Sequence, residues 1–314
     1  MDSYARQQPG DGRQQGGGAK PGGGQWHFTG DPEVFLGRAE AFLAADPALH
    51  TVLLSAADKL RTEGLDAYGD RAPLFADLTD DAGDVIGAFL WTPPRPAQLS
   101  AVSAEAAVDL AGHLQGQELA GVSGVFETAE AFAAAWCEQT GGGWELHFHQ
   151  RLYRLETLTP PMPAPPGRAR TATRADRGIL MRWYTEFAQS AGHADTTDPG
   201  EWVDRRLAYG GLALWESEPA DDSGDPEPLA MAGRTRESAG QVRIAPVYTP
   251  HELRGRGYAG AVTAEISREA RATGADEVLL FTDLANPTSN GLYQRLGYRP
   301  VRDFAVIAFT GGEG

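Results

Sequence analysis

Lysine is nearly missing from this chain: of its 27 basic residues, only Lys20 and Lys59 are lysines, and the formal charge is −16. Such a balance disfavours unspecific attraction to nucleic acid or to an anionic lipid surface. Cysteine is scarcer still. Cys137 stands alone, so neither an intramolecular disulfide nor a cysteine-based metal site can form. Its place behind Trp136 in an Ala-rich stretch marks a buried, inert thiol. Long apolar runs are missing too, and none approaches the roughly 18 residues that read as a membrane span. The opening MDSYARQQPGDGRQQGGGAKPGGGQ lacks the apolar core of a secretory signal and reads as a disordered Gly/Gln-rich tail over residues 1–25. The expectation is a cytoplasmic protein without a nucleic-acid, membrane or metal partner.

What is present suffices for two domains. The chain has 314 residues, 41% of them hydrophobic, enough for two cores of ordinary size. DPEVFLGRAEAFLAADPALHTVLLSAADKLRTEG carries apolar residues at helical spacing, with Asp31-Pro32 and Asp46-Pro47 as helix starts. FADLTDDAGDVIGAFLWTPP reads as a hairpin. A short strand at Leu99–Val102, a helix, the strand GVSGVF, a second helix and the long strand WELHFHQRLYRLETL follow. PPMPAPPGR is a stiff proline-dense connector. Beyond it the order repeats: a strand, two helices, a hairpin interrupted by the acidic turn PADDSGDPE, and the strand QVRIAPVYT. A helix, the strand EVLLFTD, the helix SNGLYQRLG and the strand DFAVIAF complete it. Matching element order, with little residue identity, suggests an ancient duplication. The expected fold class is α/β (α+β), with two mixed, mainly antiparallel sheets flanked by helices. The expected domains are residues 26–158 and 169–312, joined by residues 159–168.

One difference between the halves stands out. In the second, a glycine loop, Arg254-Gly255-Arg256-Gly257-Tyr258-Ala259-Gly260, separates strand from helix; in the first, LSAVSAEAAVDLA passes directly from one to the other. GRGYAG has the Gly-x-Gly-x-x-Gly spacing of a dinucleotide-binding turn, and Asp283 stands about where a ribose-binding acid belongs, roughly 20 residues on. Three facts oppose that reading. TPHELR intervenes between the strand and the glycines, too little chain follows for a doubly wound sheet, and the preceding strands form a hairpin. No Lys-Ser/Thr follows the glycines, which excludes a P-loop. The local chemistry still favours a diphosphate. Gly255 and Gly257 permit positive φ and leave backbone N–H groups accessible, the following helix offers unpaired amides, and Arg254 and Arg256 add charge.

The same loop, with Asn286-Pro287-x-Ser289-x-x-Leu292-Tyr293 after it, resembles the acetyl-CoA-binding segments of the GNAT acyltransferase superfamily. The resemblance covers residues 168–312, and residues 26–158 look like a degenerate second copy on element order alone. It implies a GNAT-like fold in both halves, with acetyl-CoA as co-substrate and its diphosphate on residues 254–260. It also implies a sheet splayed at the strand carrying Pro246, with the pantetheine arm entering there. Backbone groups around Val247, Tyr248 and Thr249 would pair with that arm; alternatively Pro246 merely ends a pairing. By resemblance Tyr293 protonates the departing thiolate; its other reading is a core residue beside Leu292 and Leu296. Asn286, with Ser289 near it, either bonds the cofactor or caps the helix. Asp283 is either the base for the acceptor amine or the acceptor of turn amides, and Glu186 and Glu216 are weaker candidate bases. His147 and His149 lack further ligands for a metal. Trp144, Trp183, Trp202 and Trp215 read as core residues, some of which line an acceptor pocket between the halves in the alternative reading.

The expected function is transfer of an acetyl group from acetyl-CoA to the amine of a small molecule or peptide by direct attack. The alternatives are a CoA-binding sensor without catalysis, an oxygen acceptor or another acyl group. The first half, lacking the loop, either shapes the acceptor site or supports the second. The sequence leaves the acceptor and the oligomeric state open.

Overall fold

The computed structural model describes residues 24–190, 198–218 and 226–311. Nearly all of the tail and most of the PADDSGDPE turn lie outside them. In the first half the elements are β1 (Gln25–Thr29), α1 (Pro32–Ala45), α2 (Thr51–Glu63), β2 (Leu74–Thr79), β3 (Val85–Trp91), β4 (Ala97–Leu99), α3 (Ala104–His113), β5 (Gly121–Val125), α4 (Phe126–Thr140) and β6 (Gly143–Leu155). The second half follows with β7 (Arg168–Thr171), α5 (Arg177–Ser190), α6 (Pro199–Leu207), β8 (Leu212–Glu216), β9 (Pro228–Arg234), β10 (Gln241–Tyr248), α7 (Tyr258–Ala272), β11 (Glu277–Asp283), α8 (Pro287–Arg295) and β12 (Tyr298–Thr310). The two halves match element for element.

Several local signals act as the sequence suggests. Asp31 caps α1, its Oδ1 accepting the Glu33 amide at 2.8 Å, and Pro32 fills the first helical position. Other boundaries differ. The second helix starts at Thr51 rather than at Asp46-Pro47, because Asp46 is used in a turn: its Oδ1 accepts the Leu49 amide at 3.4 Å and its carbonyl the His50 amide at 3.2 Å. The strand expected at Leu99–Val102 runs instead from Ala97 to Leu99. Gln25, assigned to the tail, begins strand β1, which pairs with β2 from Gln25↔Thr79 to Thr29↔Phe75.

The two expected sheets are one. All strands lie in a single 12-stranded sheet of order β1-β2-β3-β4-β5-β12-β6-β11-β10-β9-β8-β7, antiparallel except at β4/β5 and β10/β11. The join is made by exchange. The last strand of the second half, β12, pairs with β5 of the first, from Phe304↔Val125 to Ala308↔Gly121. The last strand of the first half, β6, pairs with β11 of the second, from Leu279↔Arg154 to Asp283↔Gln150. β6 and β12 also pair with each other along their length.

Packing follows the exchange. Tyr153 and Leu155 of β6 lie in the core where α7 and α8 cover the second half. Ala305 and Ile307 of β12 lie in the core where α3 and α4 cover the first. On the opposite face, α5 and α6 place Leu180, Trp183, Trp202 and Val203 against Leu212, Leu214, Met231 and Tyr248. A further link is Arg243 of β10, whose guanidinium donates to Thr51 Oγ1 at 2.9 Å and to Ser55 Oγ at 2.8 Å on α2.

Candidate active site

The sheet parts between β10 and β11. Their parallel pairing covers Gln241–Arg243 against Glu277–Leu279, after which the strands continue to Tyr248 and Asp283 without pairing to each other. On its other edge β10 keeps β9, but the register shifts between Ile244 and Val247 before pairing resumes at Val247↔Ala232. Pro246 therefore sits in a bulge, where its missing N–H costs no ladder bond. The bulge also redirects the side chains. Val247 packs toward α7, and Tyr248 toward α5 and α6.

The glycine loop stands at the open end of this gap. Gly255 has φ +77° and Gly257 φ +88°, both in the left-handed region that glycine adopts without steric cost. Gly257 is the N-cap of α7 and supplies no side-chain cap; the first helical bond at this end runs from Ala261 N to Gly257 O at 3.1 Å. The amides of Tyr258, Ala259 and Gly260 consequently have no intrahelical acceptor. Arg254 and Arg256 flank the glycines and are exposed. Arg254 Nε donates to Thr249 O at 3.1 Å and Arg256 Nη2 to Glu252 O at 3.1 Å, which holds the loop in shape. The Thr249 hydroxyl is buried without a partner among the described residues. An uncapped helix end, two bare glycines and two guanidinium groups form an anion cradle. Their fit to a diphosphate is chemical: many donors converge, and no carboxylate caps the helix.

The first half has closed the equivalent place. There Ser103 caps α3, its Oγ accepting the Ala106 amide at 3.2 Å, and Glu105 lies in the first turn. A carboxylate and a satisfied cap leave little for an anion.

Across the gap, β11 and α8 position the remaining residues. Asn286 Oδ1 accepts the Ser289 amide at 3.0 Å, so the asparagine caps α8. Asp283 Oδ1 accepts the Ala285 amide at 2.8 Å, a turn-forming duty that leaves its second oxygen over. One turn into α8, Asn290 Nδ2 donates to the carbonyls of Asp283 and Asn286, each at 2.8 Å. Its Oδ1 accepts from Tyr153 Oη at 2.9 Å. A strand from the first half thus fixes the helix that carries Tyr293. Nothing local in the sequence connects Tyr153 with Asn290.

Tyr293 is 9% exposed, with its ring edge-on to Tyr298 at 6.0 Å. Its hydroxyl makes no hydrogen bond among the described residues, and burial pushes it up to about 12. It keeps its proton at neutral pH, and no described residue takes a hydrogen bond from it.

The other candidates separate clearly. Glu216 is 2% exposed and held by Arg168 at 2.8 Å and by Arg170. Burial alone would raise its carboxyl, but the two arginines outweigh burial and leave it below the usual range. Such a saturated carboxylate is structural. His251, never among those candidates, is exposed on a short 3-10 turn before the loop. His147 lies edge-on to Phe148 and His149 is tilted against Phe126, with ring centroids 4.2 and 4.6 Å apart. Trp183, Trp202 and Trp215 are buried in cores, whereas Trp144 is 37% exposed. A cavity of about 720 Å³ lies elsewhere, between α2 and α6. Much of its lining charge is already paired, as in Arg177–Asp204 at 2.7 Å and Arg205–Glu201 at 3.0 Å.

The sheet that parts beside an uncapped helix defines the class: this is the GNAT fold, and the first half repeats its element order. Residues 226–305 match the family model described as FR47-like protein. The whole chain is similar to a GCN5-related N-acetyltransferase from Sphaerobacter thermophilus, at 19% identity and a TM-score of 0.57, covering 92% of this chain and 97% of that one. It is also similar to a tandem GNAT protein from the clavulanic acid biosynthesis pathway, at 11% identity and a TM-score of 0.50, covering 92% and 99%. A Drosophila protein gives 11% identity and a TM-score of 0.65, covering 93% and 100%. No curated protein sequence matches the chain.

Proposed function

We propose that the second half is an acetyl-CoA-dependent N-acetyltransferase. One observation carries the reading: the gap between β10 and β11 ends at the uncapped α7, while in the first half β4 pairs with β5 along its whole length and the helix that follows, α3, is capped. The amides of Tyr258–Gly260 with Arg254 and Arg256 hold the diphosphate of the carrier. The Thr249 hydroxyl and the free edge of β10 at Val247 and Tyr248 hold its pantetheine arm. The bound carrier supplies an acetyl group already activated as a thioester. The protein's part is to align the acceptor with that carbonyl, to polarise it through a backbone N–H near Val247, and to protonate the leaving sulfur from Tyr293. No covalent acyl-enzyme is needed, and Cys137 on α4, half-buried where the sequence suggested a buried thiol, packs on the core of the first half.

The acceptor is an amine of a small molecule or peptide. Incubating the protein with acetyl-CoA and a panel of amines and peptides, followed by mass spectrometry, should reveal a product 42 Da heavier than one acceptor class, an acetyl in place of hydrogen (about 42 Da). Free CoA release without any acetylated product would contradict the reading.

A further inference from the structure

The face of the gap turned away from α7 carries a titratable pair. Tyr248, the residue that ends β10 after the bulge, donates from its hydroxyl to Glu186 Oε2 on α5 at 2.7 Å. Tyr248 is 8% exposed and packs beside Trp183, with ring centroids 6.1 Å apart. Burial first, and the adjoining Glu186 carboxylate second, push its hydroxyl up to about 12, so it serves as a donor that retains its proton. Glu186 differs from its partner in access: its side chain is 41% exposed, and Oε1 lies 4.0 Å from Arg182 Nε, the outer limit of an ion pair. One carboxylate oxygen is therefore fixed by a buried phenol while the other is only loosely engaged. Among the carboxylates already considered, Glu216 is enclosed by arginines and Asp283 spends Oδ1 on a turn amide. Glu186 and Asp283 each keep one oxygen over, but Glu186 is the one held by the buried side chain that ends β10.

We propose that Glu186, aligned by Tyr248, docks the cationic acceptor amine and receives its proton. The assignment rests on the acetyl-transfer reading above. The amine gives one proton to Glu186 Oε1 and becomes a nucleophile. Its nitrogen bonds to the acyl carbon as the carbon–sulfur bond breaks, and the sulfur takes the Tyr293 proton; the second nitrogen proton returns through water to the Tyr293 oxygen, and Glu186 releases its proton to solvent. Tyr248 is a positioning residue in this scheme; Glu186 touches the substrate.

The full-length protein, acetyl-CoA and the acceptor found by the mass-spectrometric panel provide the test. Glu186→Gln should lower kcat/KM for the amine by about 10²–10⁴-fold while the KM for acetyl-CoA changes less than about threefold. Glu186→Ala should lose as much, and added formate should restore its rate in proportion to concentration, which no purely structural role would permit. Tyr248→Phe, which removes one hydrogen bond, should cost about tenfold. The proposal is overturned if Glu186→Gln retains wild-type kcat/KM, or if formate restores nothing to Glu186→Ala. If wild-type protein binds acetyl-CoA yet acetylates no amine, the acetyl-transfer reading itself falls, and this assignment with it.

Discussion

Residues 169–311, expressed without the preceding chain, should fail to fold. Such a fragment follows the proline connector, the natural place to cut, yet it leaves β11 without its neighbour. Leu152, Tyr153 and Leu155 of β6 are all nearly fully buried, and each such side chain contributes about 1.5–3 kcal/mol by leaving water. Their sum rivals the roughly 5–15 kcal/mol that separates a folded domain from its unfolded state. The backbone ladder from Leu279↔Arg154 to Asp283↔Gln150 would be lost as well. Circular dichroism during heating should show no cooperative transition for this fragment. A chain beginning at residue 141, which retains β6, should melt cooperatively and bind acetyl-CoA. A sharp melt from residues 169–311, with acetyl-CoA binding intact, would contradict the exchange.

Tyr293→Phe should reduce kcat by about 10²–10⁴-fold, the usual contribution of one general acid. Acetyl-CoA affinity should stay within about threefold of wild type, since the cradle lies on α7 and its loop, whereas Tyr293 lies on α8. Stability should barely change, because the hydroxyl makes no hydrogen bond among the described residues and the ring keeps its contact with Tyr298. Parallel thermal melts and calorimetric titrations separate these outcomes. A phenylalanine variant that turns over at the wild-type rate would return Tyr293 to a packing role. A variant that loses affinity and rate together would place the tyrosine in cofactor binding instead.

The sequence disclosed what local chemistry controls. The glycines at 255 and 257, the proline bulge at 246 and the Asn286-Pro287 start of α8 each act within a few residues of themselves, and all could be read in advance. Partner choice could not. β6 and β12 are both 13-residue strands at the ends of matching halves. An alternating strand completes either sheet equally well by pattern, so periodicity alone does not reveal the exchange. β1 was hidden for a different reason: QWHFT directly follows a glycine-rich tail and is only five residues long, and of Trp26 and Phe28, which share one face, only Trp26 is buried. Asp46-Pro47 carries a helix-start signature that its own turn overrides. The Tyr248–Glu186 and Tyr153–Asn290 pairs join residues 62 and 137 positions apart. Neither pair leaves a local trace.

The account stands on the anion cradle at residues 254–260, and calorimetric titration of the full-length protein probes it most directly. Acetyl-CoA should bind once per chain. Arg254→Glu or Gly257→Val should weaken that binding strongly, through repulsion in the first case and a side chain forced to positive φ in the second. NADH should give no heat. Binding of NADH in place of acetyl-CoA, or acetyl-CoA affinity indifferent to both substitutions, would contradict the account.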